Sequence, residues 1–403
     1  MNRFISILVL FFLAIPETST AQVIVRTRQN TEKTDADLKT GAKRTELYLP
    51  LLKGKKVAVV ANHTSMINGT HLVDSLISLR VDVKKILCPE HGFRGLADAG
   101  ENVASSVDKK TGLPVVSLYG DHKKPTAKDL KGIDVVLFDL QDVGVRFYTY
   151  ISTMTYVMEA CAEQNKTFIV LDRPNPNGYY MDGPVMEKEF TSFVGLHPVP
   201  VVHGMTVAEY ARMLNGEKWL KNGVQCDLKY ITCENYSHND LYQLPVRPSP
   251  NLPNMSAVYL YPSLCFFEGT VISVGRGTDT PFQVIGHPSL KDAPFQFTPM
   301  PKPGAKKPLY EGQLCYGYNL SEFSDLYIKD YKALYLYWIL QCYRQIPDKS
   351  TFFNNYFEKL AGTKKLRQQI IEGKSEQDIR SSWQQGLSDF RLIRSKYLLY
   401  EDF

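Results

Sequence analysis

Asp134-Val135-Val136-Leu137-Phe138-Asp139-Leu140-Gln141-Asp142-Val143-Gly144-Val145-Arg146 opens as a β-strand and closes as a cluster of acids, an amide and an arginine. The same succession recurs along the chain. Lys56 to Val60 runs into Ala61-Asn62-His63-Thr64, Val83 to Leu87 into Cys88-Pro89-Glu90-His91-Gly92, and Thr167 to Leu171 into Asp172-Arg173-Pro174-Asn175. Pro114 to Leu118 is a further strand. Helical spacing falls between these runs at His71–Leu79, around Ala127 and at Tyr148–Gln164. Strands alternating with helices predict βαβ units, hence an α/β fold: a Rossmann-like, doubly wound, mainly parallel sheet. Ligands of such sheets bind outside the carboxyl ends of the strands, where the polar residues of this chain collect. It reads as an enzyme.

Beyond about residue 200 the alternation loosens. Thr206 to Leu214 is a helix with a capping box, Thr206 facing Glu209. Leu228–Ile231 is an edge strand, and Ser256–Phe267 a helix after the proline-rich 247–254. Short strands and helices near 331–345, 355–372 and 375–395 follow. The expected organisation is a signal peptide at 1–21, a mobile arm at 22–45, a Rossmann-like catalytic domain at 46–258, and a smaller α+β domain at 259–403 closing the cleft.

Met1-Asn2-Arg3 is a short basic start, Phe4 to Ile15 is apolar, and Ser19 and Ala21 occupy the −3 and −1 positions of a cleavage site. The apolar run falls short of the roughly 20 residues of a membrane span, so export is expected and a span is not. The net charge of +5 in 403 residues contains no basic block and gives no reason to expect nucleic acid. Most of the 24 Tyr and 20 Phe are assigned to a thick core. The seven cysteines (88, 161, 226, 233, 265, 315, 342) lack CxxC spacing, so a zinc cluster is not expected and no disulfide is required. Cys226 and Cys233 are the pair that export could join.

Glu90 is the leading general acid, since a carboxyl beside an apolar strand end can hold its proton at neutral pH. Pairing with Arg94 or capping a turn is its structural alternative. His91 is placed as a second proton-transfer group or a hydroxyl orienter, and Asn62 and His63 as substrate contacts. Asp139 and Asp142 are candidates for base, stabiliser or clamp. Arg146, with Tyr148 close by, suits a substrate carboxylate, because guanidinium binds carboxylate bidentately. Glu101 sits in a loop that could fold over the cleft. Glu268 approaches from the second domain, and Arg276 and Asp279 lie in a glycine-flanked turn. There is no GxSxG elbow, no GxxxxGK[ST] loop and no glycine fingerprint after the first strand. A metal site built from Glu90, His91, His63, Asp139 and Asp172 stays open on sequence.

Eight segments in this order and spacing resemble the exo-β-N-acetylmuramidase (NamZ) family. They are ANHTS (61–65), PEHGFRG (89–95), AGE (99–101), FDLQDVGVRFYTY (138–150), DRPNPNG (172–178), PVVHGMTVAEYARMLN (200–215), RPSPNLP (247–253) and FEGTVISVGRGTDTPFQVIGHP (267–288). The resemblance implies an exo-acting glycoside hydrolase that needs no cofactor or metal and takes N-acetylmuramic acid from the non-reducing end of peptidoglycan fragments. It also implies a periplasmic place in wall recycling. It puts the catalytic glutamate at Glu90, with Glu268, Asp139 or Asp142 as the second group. Asn175 and His203 fall in matched segments and are counted with the substrate contacts. Arg94, Arg146 or Arg276 would meet the lactyl carboxylate. Retaining, inverting and acetamido-assisted routes are all compatible with these residues. The competing readings are a metal-dependent hydrolase of another envelope substrate and a peptidoglycan-binding protein without catalysis.

Overall fold

The computed structural model describes residues 31–90, 92–93, 106–324 and 329–403. The signal-peptide expectation at 1–21 therefore lies outside the described residues. The main sheet contains β1 (Lys56–Ala61), β2 (Asp82–Cys88), β3 (Ser106–Val107), β4 (Pro114–Ser117), β5 (Val135–Asp139), β6 (Thr167–Leu171) and β7 (Asp227–Ile231). Their order is β7-β6-β5-β1-β2-β4-β3, parallel throughout except for β3 against β4. In register, β1 sets Val57 opposite Val135 and Ala61 opposite Asp139. The chain grows outward from β1 to β2 and β4, then crosses to β5, so the strand order reverses between β1 and β5.

Side-chain alternation divides the sheet between two cores. Val57, Val59, Ala61, Leu137, Ile169 and Leu171 face one way, where α1 (Thr45–Leu52) and α2 (Leu72–Ser78) bring Tyr48, Leu52, Leu72 and Leu76. Ala58, Val60, Val136, Phe138, Phe168 and Val170 face the other, against α3 (Tyr150–Glu163) and α4 (Val207–Gly216). With both faces covered, the strands are apolar at almost every position, as parallel sheets require. The capping box on α4 forms: the Thr206 N–H donates to Glu209 Oε2 at 2.8 Å, and the Glu209 N–H to Thr206 Oγ1 at 3.4 Å.

The second of these cores continues without a break into the C-terminal part through Leu264, Phe266, Phe352 and Phe357. That part begins with α5 (Met255–Leu264), capped by the Asn254 side chain at 3.0 Å from the Ala257 nitrogen. It carries an antiparallel sheet of β8 (Val284–His287), β9 (Phe295–Phe297) and β10 (Cys315–Asn319), with β10 in the centre. Helices α6 (Tyr337–Gln345), α7 (Phe357–Ala361), α8 (Lys365–Ile371), α9 (Glu376–Ser381) and α10 (Gln384–Arg394) follow.

Several expectations change. The arm is seated from residue 31 onward: Thr31–Lys33 pairs in parallel with Asp240–Tyr242, and Leu38 and Ala42 are buried. Gly41 donates to the Asp172 carbonyl at 2.8 Å, and a Cβ there would lie 2.3 Å from the Ile231 oxygen, so only glycine allows the approach. Around Ala127 the chain turns instead of coiling, because Asp129 Oδ2 takes the N–H and hydroxyl of Thr126 at 2.8 and 2.6 Å. The helix expected over 355–372 is two helices, since Gly362 adopts φ 73° and ends the first as a left-handed cap. That expected over 375–395 breaks between Ser381 and Gln384. Cys226 and Cys233 are unbonded; the Cys233 thiol donates to the Asp172 carbonyl at 3.3 Å.

Candidate active site

A cavity of about 570 Å³ opens at the carboxyl end of the sheet, displaced from the β1/β5 reversal toward β2 and β4. The reversal point itself is filled by the protein's own groups. Ser65 Oγ donates to the Asp139 carbonyl at 2.5 Å, and the Gln141 N–H donates to Thr64 Oγ1 at 3.1 Å. The cavity is walled by Glu90 (two residues beyond β2), the segment after β4 (Tyr119 to Lys123) and the approach to α3 (Phe147 to Tyr150). The C-terminal part supplies Cys265, Glu268, Arg276, Phe282, Tyr356 and Lys359.

Glu90 Oε2 accepts from the Thr149 hydroxyl at 2.9 Å, and the Tyr119 phenol also hydrogen-bonds this carboxyl group. Burial first, then the charge of Glu90, pushes the Tyr119 phenol well above its ordinary value, so it keeps its proton. Thr149 is the residue at the N-cap of α3 but makes no side-chain cap there, which leaves its hydroxyl for Glu90. Glu268 stands on the single-turn helix Cys265–Gly269. Its Oε1 takes both Nε and Nη2 of Arg276 at 2.6 Å, and the Arg276 guanidinium lies 5.2 Å from the Phe282 ring centre. Glu90 and Glu268, one from each half of the chain, thus enter one aromatic-walled cavity, which Asp121 also lines.

Of the residues singled out from sequence, Glu90, Glu268, Tyr148 and Arg276 line this cavity. Tyr148 donates its hydroxyl to the Pro248 carbonyl at 2.8 Å. Asn62 stands behind the wall: its amide donates at 2.7 Å to the hydroxyl of Tyr150, a lining residue. His91, Arg94 and Glu101 lie outside the described residues.

The others do not reach the cavity. Asp139 is fully buried and holds Arg173 through both oxygens, at 2.6 and 2.9 Å. Asp142 is turned into the fold, where Oδ1 accepts the Gly144 N–H at 2.6 Å and Oδ2 has no hydrogen-bond partner among the described residues. Burial pushes its carboxyl up to about 7 against those backbone bonds. Arg146 does not serve a substrate carboxylate, because its guanidinium is spent on the carbonyls of Pro184, Val199, Leu360 and Ala361 at 2.7–2.9 Å. Asn175 ties loops together, donating to the Met205 carbonyl and accepting the Asn177 N–H at 2.9 and 2.8 Å. A Cβ on Gly144 would sit 2.0 Å from Asn175 Oδ1, which explains the glycine. His203 is buried, bonded to the Met205 N–H at 3.2 Å, and desolvation pushes its imidazole down to about 3. His63 meets the Arg247 carbonyl at 2.9 Å beside a different, smaller cavity. Asp279 is exposed and pairs with Lys302.

The described members of the open metal set do not gather either. Asp172 is occupied by the Thr206 and Tyr400 hydroxyls and the Ala208 N–H, at 2.6–3.0 Å. Among the described residues no group of three His, Cys, Asp or Glu is placed to hold a metal ion, and no helix is long and apolar enough to cross a membrane.

Reasoning from sequence missed Tyr119, Asp121 and Lys123, although the strand-end rule applied to β4 points straight at them. It also missed Phe193, Tyr356 and Lys359, which carry no motif and reach the cavity only through tertiary packing.

Comparison with known proteins agrees with this architecture. Two family models match, "Exo-beta-N-acetylmuramidase NamZ, N-terminal" over residues 57–256 and "Exo-beta-N-acetylmuramidase NamZ, C-terminal" over 259–400. The peptidoglycan β-N-acetylmuramidase NamZ of Bacillus subtilis (strain 168) is 38% identical over 377 residues, spanning 88% of this chain and 89% of that protein. A crystal structure of a DUF1343 family protein from Bacteroides fragilis NCTC 9343 superposes with a TM-score of 0.85 at 45% identity, covering 91% of this chain and all of that one. A second DUF1343 protein from the same organism gives 0.78 at 31% identity, covering 91% and 99%.

Proposed function

The chain belongs to the exo-β-N-acetylmuramidase NamZ family, and on that premise we propose that it releases N-acetylmuramic acid from the non-reducing end of peptidoglycan fragments during wall turnover. The observation that carries the reading is the meeting of Glu90 and Glu268, from the two halves of the chain, in one cavity. Glycoside hydrolysis needs an acid at the leaving oxygen and a second group at the anomeric carbon or its water. Glu90, oriented by Tyr119 and Thr149, is assigned the proton donation. Glu268, fixed by Arg276, is assigned to the positive charge that develops at the sugar ring. The walls of Phe147, Tyr148, Phe193, Phe282 and Tyr356 suit the apolar faces of a pyranose, and the volume lies within the roughly 300–1,000 Å³ usual for small-molecule sites.

The test is incubation of the protein with saccharides capped at the non-reducing end by N-acetylmuramic acid or by N-acetylglucosamine, with chromatography of the products. Release of free N-acetylmuramic acid alone is expected. Internal cleavage, or release from neither, refutes the reading. Action in the periplasm is part of the same proposal, supported by the Met1–Ala21 pattern. Protein recovered from a periplasmic fraction should begin at Gln22, whereas an intact Met1 would contradict export through this signal.

A further inference from the structure

Resting on that reading, we propose that Lys123 and Lys359 recognise the lactyl carboxylate of the substrate and thereby separate N-acetylmuramic acid from N-acetylglucosamine. The two sugars differ only by the lactyl ether on the 3-oxygen, which adds one negative charge. A site that discriminates between them needs a cation whose charge is not already spent. Among the described residues the cavity wall carries three cations: Lys123, Arg276 and Lys359. Arg276 is committed, since two of its nitrogens lie on Glu268 and its guanidinium carbon stands over the Phe282 ring. The ammonium groups of Lys123 and Lys359 pair with no carboxylate among the described residues. Asp121, which also lines the cavity, bonds to neither.

The two lysines approach from different halves of the chain. Lys123 is half-buried in the segment after β4, and its ammonium lies 5.2 Å from the centre of the Phe193 ring, another wall residue. That ring meets Tyr119 edge-on at 6.1 Å, so the cation sits on the wall that holds Glu90 in place. Lys359 stands on α7, three residues after Tyr356, and i,i+3 neighbours share a helix face. Tyr356 in turn lies near enough to Glu268 and Glu90 for both charges to act on its phenol. A sugar held between the two carboxyl groups would therefore have one unspent ammonium on each side. Lysine suits this task, being a point charge on a flexible stem that can follow a rotatable lactyl arm.

The test uses the full chain, with both lysines changed to methionine and, separately, both to arginine, each variant checked by melting temperature. Calorimetry compares N-acetylmuramic acid, its lactyl amide and N-acetylglucosamine as ligands; 4-nitrophenyl glycosides of the first two serve as substrates. Wild type should favour the acid over the amide by about tenfold or more in Kd and kcat/KM, as expected for a charge pair in a partly desolvated site. Lys123→Met with Lys359→Met should bring that preference to within about twofold, and the arginine pair should restore it. A double methionine variant that keeps the wild-type preference overturns the proposal. So does a wild type that hydrolyses acid and amide equally, which leaves the glycosidase reading standing. Binding of the acid in preference to both neutral sugars, lost in the methionine variant and without hydrolysis by any form, would refute the glycosidase reading and support the lysine assignment. A wild type that binds none of the three refutes both.

Discussion

At the scale of single residues, the charged groups of this chain divide into those that hold the fold and those that face the cavity, and the two kinds should respond differently to substitution. Arg146 supplies donors to four buried carbonyls. Arg146→Met should cost about 3–5 kcal/mol, the range for stripping one partner from a buried polar network. Denaturant unfolding checks this, and an unchanged midpoint would contradict the structural role. Asp279, exposed and paired with Lys302, should tolerate alanine with no change in melting temperature or kcat/KM.

Buried titratable groups add opposing slopes to stability against pH. Burial raises Asp142 and Asp172 to about 7, so the folded state binds their protons more tightly than the unfolded one. Stability from these carboxyls is full below about pH 4 and lost as the pH rises through about 7. Burial lowers His197 to about 4 and His203 to about 3, so their contribution is full above about 6.5 and lost as the pH falls toward those values. Asp142→Asn, which does not titrate, should therefore gain on wild type by about 2–4 kcal/mol between pH 4 and pH 8. His203→Gln should gain in the opposite direction, toward acid. Urea midpoints across that range read both slopes. A pH-independent difference between wild type and Asp142→Asn would show that Asp142 titrates normally.

At the scale of elements, the strands were legible because periodicity and burial coincide. Val57 to Ala61, Val135 to Phe138 and Phe168 to Leu171 are apolar on both faces because helices cover both. The rim they end on was legible too, since only Pro89 separates Glu90 from the end of β2. What could not be read was orientation. Asp139 ends β5 and Asp142 lies three residues beyond it, yet Arg173 and the Gly144 N–H draw them into the fold; Arg173 is 34 residues away, and the local turn to Gly144 is not marked off from a cavity-facing loop by its sequence. The break at Gly362 was likewise hidden inside a helical pattern. A Cβ at Gly362 would lie 2.8 Å from Arg146 Nη2 and 2.9 Å from Met186 Cγ, and φ is 73°. Gly362→Ala should accordingly destabilise by more than the ~1 kcal/mol typical of a left-handed position. It should also weaken activity, because the cap fixes α7 and with it Lys359. Full activity at an unchanged melting temperature would show that α7 is not held in this way.

At the scale of the whole molecule, the last residues of the chain return to close the first half. Leu399 donates its N–H to Glu209 at 2.8 Å, Tyr400 its hydroxyl to Asp172 at 2.6 Å, and Asp402 takes both terminal nitrogens of Arg394 at 2.7 Å. Removing residues 398–403 would leave Glu209, Asp172 and Arg394 buried without these partners. Loss of several kcal/mol is expected, seen as a lower urea midpoint, whereas a truncated chain as stable as wild type would show the clasp to be ornamental. This closure and the shared core hold the two halves together, and the cavity needs both, since Glu90 comes from one and Glu268 from the other.

The division of labour between those glutamates is the central claim, and leaving-group dependence tests it most directly. Muramic glycosides with a sugar alcohol or with dinitrophenol as leaving group should be hydrolysed by wild type, Glu90→Gln and Glu268→Gln side by side. An acid matters only where the departing oxygen needs a proton. Glu90→Gln should therefore lose about 10²–10⁴-fold on the saccharide and far less on the dinitrophenyl glycoside, while Glu268→Gln loses on both. Equal losses for Glu90→Gln on the two substrates, or none on either, would contradict the account.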